Sequence, residues 1–133
     1  MATYEESIRS ITLEADASIG VYTGVPGLPG SASPNSGKQY RFVKITGAHT
    51  AGLAEAGDFT IGVLQNKPQQ VGGAATVAIR GVSLVEAGTS IEAGDYIGPD
   101  DNGKADVVLA ADAVGVAVGG AAAGQLVPVL LKF

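Results

Sequence analysis

The 133-residue chain holds few side chains able to do covalent chemistry, and none falls in the pattern such chemistry requires. With no cysteine there is no thiol nucleophile, disulfide or thiolate metal site. Acyl transfer would rest on His49, the only histidine. It stands in a Gly/Ala/Thr stretch, and no G-x-S-x-G elbow supplies a serine for it. Residues 30–38, GSASPNSGK, imitate a phosphate loop, but six residues separate the glycines. The motif needs four, and Gln39 stands where a magnesium-binding Ser or Thr belongs. Asp100, Asp101 and Asn102 lack the spacing and closing Glu of a calcium loop. There is no dinucleotide fingerprint, and nothing singles out a pair among the thirteen acids for glycoside chemistry. The expectation is a protein that binds or builds, not an enzyme, with no cofactor and no metal.

Charge narrows the partners. The formal net charge is −5 and the eight Lys and Arg are scattered along the chain, which disfavours direct binding of nucleic acid. The N-terminus, MATYEESIRS, has no apolar signal region, and the longest apolar runs are broken by Gly, Asp or Pro. Neither a signal peptide nor a membrane span is expected, but a soluble protein of the compartment where it is made.

The elements that must carry any function are short and β-like. Apolar content is mainly Ala and Val, and twenty glycines imply many turns and thin layers. Three segments are expected: an arm at 1–22, a Gly/Pro/Ser linker at 23–37, and a compact β-domain at 38–133. In the arm, Met1, Tyr4, Ile8 and Ile11 share a helical stripe, while Ile11, Leu13 and Ala15 alternate as a strand would. Strands are expected at 40–46, 59–64, 75–85, 90–97, 105–110, 114–118 and 126–133, with a loop and one helical turn at 51–56. The bulky positions change parity at Gly81, the mark of a bulge or corner. Residues 98–103 contain Asn102-Gly103, suited to a type I′ hairpin. Pro128 withholds an N–H and so favours an edge strand. Ala56-Gly57-Asp58-Phe59 and Ala93-Gly94-Asp95-Tyr96 echo each other, which we read as repeated turn chemistry. The fold class expected is all-β: a small, partly closed β-barrel or β-tulip-like sandwich with an extended N-terminal arm.

The succession IGVLQNKP at 61–68, ATVAIRGV at 75–82, IEAGDYI at 91–97, the Asp-Asn-Gly-Lys turn, VGVA at 114–117 and GQLVPV at 124–129 resembles the capsid decoration, or head cement, proteins of tailed bacteriophages. The resemblance covers about residues 38–133, and such proteins are similar in logic to the phage lambda head decoration protein. It implies a non-enzymatic virion protein, made in the host bacterial cytoplasm, that binds the outer surface of an assembled shell and stabilises it. The implied partners are the major capsid protein and further copies of the chain, a homotrimer being favoured. Capsid contact would fall to the arm, through Thr3, Tyr4, Ile8, Ile11 and Leu13, by strand addition. The oligomer would cover an edge at Val127, Pro128 and Val129. The alternatives are another virion component, such as a head fibre base or tail protein, and a carbohydrate-binding β-module.

Overall fold

In the computed structural model the residues described are 8–20, 38–68 and 70–132. Apart from one 3-10 turn at Ala110–Asp112, the regular structure among them is all β. Nine strands run in the order β1 (Arg9–Ala15), β2 (Phe42–Gly47), β3 (Thr50–Leu53), β4 (Gly62–Leu64), β5 (Ala74–Glu86), β6 (Tyr96–Pro99), β7 (Ala105–Val107), β8 (Gly115–Ala117) and β9 (Leu126–Leu131). The linker at 23–37 lies outside the described residues.

Strands β1, β3, β2, β4 and the first half of β5 close into a five-stranded barrel. Closure comes from β1, which pairs antiparallel with β5 from Arg9↔Arg80 to Glu14↔Ala74 and parallel with β3 at Glu14↔Thr50 and Ala15↔Ala51. Residues 9–15, expected within the arm, are thus the last stave of the barrel. The alternation of Ile11, Leu13 and Ala15 belongs to a strand, not a helix. Beyond β1, the Asp16 carboxylate accepts from Ser18 N–H (2.8 Å) and Ser18 Oγ (2.5 Å), and its other oxygen from Thr46 Oγ1 (2.8 Å). Ser18 Oγ in turn accepts from Leu53 N–H at 2.8 Å, tying the end of β1 to the β2–β3 hairpin. A side chain at Gly52 would strike the Asp16 carboxylate. Small residues here serve close approach, so 51–56 carries the end of β3 and no helical turn.

The 13-residue β5 serves two sheets. Arg80 is its last partner for β1, and Gly81, at φ +99°, is its first for β9. From there the second sheet runs β5-β9-β8-β6-β7. The corner expected at Gly81 is therefore the point where the strand leaves the barrel. Val77 fills the barrel interior with Leu64, Val43, Ala51 and Ile19. Ala78, Val63 and Phe42 form a barrel wall that packs on Val85, Val127, Val129, Leu131 and Ile97 of the second sheet.

The turns are built from local carboxylates. Gly57 (φ +86°) and Gly94 (φ +89°) each sit in a Glu-Ala-Gly-Asp loop. In the first the Asp58 carboxylate accepts from Glu55 N–H at 2.8 Å, and in the second the Asp95 carboxylate accepts from Glu92 N–H at 2.9 Å. The echo is repeated turn chemistry. The β6–β7 turn departs from type I′, since Gly103 (φ +72°) alone of the pair has positive φ. The Asp100 carboxylate accepts from Asn102 and Lys104 N–H, and the Gly103 N–H bonds Asp100 O at 3.1 Å, a type I turn closed by a left-handed glycine.

Candidate assembly surface

The second sheet is apolar on both faces. Its inner face supplies the core, and the register lines up the outer one. Val82 of β5 stands opposite Leu130 of β9, Leu130 opposite Val116 of β8, and Val116 opposite Tyr96 of β6. Leu84 stands opposite Pro128, and Glu86 opposite Leu126. Leu84, Tyr96, Val118, Leu126 and Leu130 each leave 41–46% of their surface in water. Together they expose on the order of 500 Å², the upper range of what a monomer leaves open, and such patches mark interaction sites. An antiparallel sheet facing solvent on one side would alternate apolar and polar; this one does not.

A groove of about 520 Å³ continues that face toward the barrel, lined by Ile8, Tyr40, Gln65, Val82, Leu84 and Pro128. Its polar groups are satisfied beneath the surface: Gln65 Nε2 donates to Ser83 Oγ (2.8 Å) and Val63 O (3.1 Å). Tyr40 is held at φ +66°, a costly conformation for a bulky residue that persists only where its surroundings impose it. Its N–H bonds Leu64 O at 2.7 Å, and its carbonyl accepts from Glu86 N–H at 2.9 Å.

One margin of the face carries charge. Glu86 accepts from Arg41 and Lys104, each at 3.1 Å, with Arg41 only 12% exposed. Lys38 stands close by, and partial burial together with Arg41 and Lys104 pulls its ammonium below the ordinary 10.5. Three cations scattered in sequence are thus gathered around one carboxylate.

Of the residues expected to contact a shell, Thr3 and Tyr4 lie outside the described residues. Ile8 lines the groove and is 45% exposed; Ile11 is exposed on β1; Leu13 packs against the barrel core. The edge expected at Val127–Val129 is not an edge. β9 lies between β5 and β8, and Val127 and Val129 are fully buried. Pro128 is tolerated because it sits at the margin of the β8–β9 ladder, where its carbonyl accepts from Val118 N–H, one residue past the end of β8. Its ring instead joins the groove, so Ile8 and Pro128, drawn from opposite ends of the sequence, border one surface. The outer residues Leu84, Val116, Leu126 and Leu130 were missed. For Leu126 and Leu130 the signal was apolar character at both parities of 126–131, LVPVLL. His49 occupies the β2–β3 turn at φ +54°, its carbonyl accepting from Glu14 N–H at 2.7 Å. Among the described residues no three His, Asp or Glu groups gather as a metal site would require, and no helix is long and apolar enough to cross a membrane.

The chain matches no family model and no curated protein. Its fold is similar to a crystal structure of the head fiber gp8.5 N base in bacteriophage phi29, with a TM-score of 0.61 and 18% identity over 95% of each chain. At that identity the likeness is one of fold.

Proposed function

We propose that this chain is a non-enzymatic structural protein of a tailed-phage virion, attached to the outer surface of the head, where it stabilises the shell as a decoration protein. The observation that carries this reading is the fold likeness to a phage head fibre base over nearly the full length of both chains. The apolar outer face supports an assembling role, since a free monomer would keep that area in water. A homotrimer suits it. The chain is acidic overall, yet the face carries a basic margin at Lys38, Arg41 and Lys104. In a ring, each basic margin would meet a neighbour's acidic surface. Capsid contact is assigned to the β1 side, through Ile8 and Ile11 and through Thr3 and Tyr4 before them.

A second reading, that the chain is the base of a head fibre, is favoured by the structural neighbour being itself a head fiber base. Both readings place the protein on the head exterior. The test is co-sedimentation of the purified chain with capsids of the phage that encodes it. Saturable binding to assembled shells, without binding to unassembled capsid subunits, is expected. Absence of binding to shells would overturn both readings.

A further inference from the structure

A second cleft, of about 660 Å³, lies between the loop that joins β3 to β4 and the segment of the 3-10 turn. Its lining includes Phe59, Thr60, Asp106, Asp112 and Lys132. Phe59 leaves 87% of its surface in water, more than any other large apolar side chain described. It is presented there by the Glu-Ala-Gly-Asp turn, whose carboxylate fixes the backbone just before it. Beside it Thr60 is 2% exposed, and its Oγ1 has no hydrogen-bond partner. Buried hydroxyls are nearly always paired; this orphan lies behind the cleft wall, with almost none of its own surface open to the cleft.

The charged groups divide by what they already hold. Asp58 is committed to Lys44 (2.7 Å) and to Glu55 N–H (2.8 Å). Asp106 has one oxygen on Val107 N–H at 2.9 Å, and Asp112 and Lys132 are exposed. Two carboxylates against one ammonium in the lining disfavour phosphate and sulfate, and they are too few for a metal ion.

We infer that this cleft binds a neutral sugar ring. A pyranose offers an apolar C–H face to lie on Phe59, hydroxyls to donate to Asp106 and Asp112, and oxygens to accept from Lys132. A cationic side chain is the rival occupant for an aromatic ring beside carboxylates. Lys132 in the same lining opposes it. The inference is independent of the virion reading, because the isolated chain suffices to test it.

The experiment is a titration of the ¹⁵N-labelled full chain with glucose, galactose, N-acetylglucosamine and its trimer, each to about 20 mM, the range that detects millimolar affinity. At least one is expected to give saturating shifts at the Phe59, Thr60 and Asp112 amides. Phe59→Ala, a change at an exposed site, is expected to weaken that binding about tenfold or more. Silence from all four sugars would overturn the inference. So would shifts that survive Phe59→Ala, or the same amides moving with a tetralysine peptide while the sugars stay silent.

Discussion

Val82 and Leu130 stand opposite each other on the β5–β9 ladder with both side chains on the outside of the molecule. This pair lies at the centre of the row that runs on through Val116 to Tyr96. If copies meet on this face, a charge at its centre must be desolvated on assembly, which is costly. Leu130→Lys is therefore expected to convert the oligomer to a monomer while leaving far-ultraviolet circular dichroism unchanged, since Leu130 is 46% exposed in the single chain. Light scattering coupled to size exclusion gives the answer. The wild-type mass should be about three times 13.2 kDa and the variant's a single chain. Equal masses would remove this face from the interface.

Gly81 at φ +99° is where β5 passes from barrel to second sheet. A side chain there is strained whatever space surrounds it, at about 1–3 kcal/mol. Gly81→Val, β-branched, is expected at the upper end of that range and Gly81→Ala at the lower, read from urea unfolding midpoints. A Gly81→Val midpoint equal to wild type would show that the corner does not depend on glycine.

Asp16 holds three donors from two elements, Ser18 N–H, Ser18 Oγ and Thr46 Oγ1. At about 0.5–1.5 kcal/mol net for each bond, Asp16→Ala is expected to cost about 2–3 kcal/mol. It should also raise hydrogen exchange in β1 before the second sheet, because the tie it breaks is the one that seats the closing stave. Uniform acceleration across both sheets would contradict that order.

The Lys44–Asp58 pair sets a pH dependence. The hydrogen bond from Lys44, then that from Glu55 N–H, holds the Asp58 carboxyl below its ordinary 3.8, while Asp58 raises Lys44 above 10.5. The folded Asp58 binds its proton more weakly than the unfolded one. Its contribution is therefore complete above pH 3.8 and lost as pH falls through the lowered folded value. That of Lys44 is complete below 10.5 and lost as pH rises through its raised value. Both groups are open to solvent, so the effect is small and salt-sensitive. Asp58→Asn should flatten the acid limb of the melting-temperature profile, and parallel profiles would contradict the assignment.

Lys38 has the sign opposite to Lys44. Burial and two neighbouring cations lower its pKa, so the folded state binds this proton less tightly and stability rises with pH toward 10.5. Lys38→Met is expected to raise the melting temperature at neutral pH by about 1–3 °C, with a smaller gain in high salt. A lower melting temperature would show that Lys38 contributes an attraction to Glu86 larger than the repulsion.

The all-β class, the corner at Gly81 and the twin turns before Phe59 and Tyr96 were legible in the sequence, because glycine and carboxylate turn chemistry is local. The surface was not. Val82 and Leu84 change parity after Gly81, which reads as a bend, yet nothing local says that they turn away from the core shared with Ala78 and Val85. Pro128 read as an edge because a missing N–H is usually tolerated there; its place past the end of β8 depends on a partner strand ten residues earlier. The cation cluster at Lys38, Arg41 and Lys104 is likewise a product of pairing distant segments.

As proposed, the protein sits on the outside of a phage head and assembles through the outer face of its second sheet. Electron cryomicroscopy of the particle that carries it tests both parts at once. Trimeric density on the outer shell is expected, with Leu84, Val116 and Leu130 buried at the contacts between copies. Particles that lack the protein, or copies whose second-sheet face lies open to solvent, would contradict it.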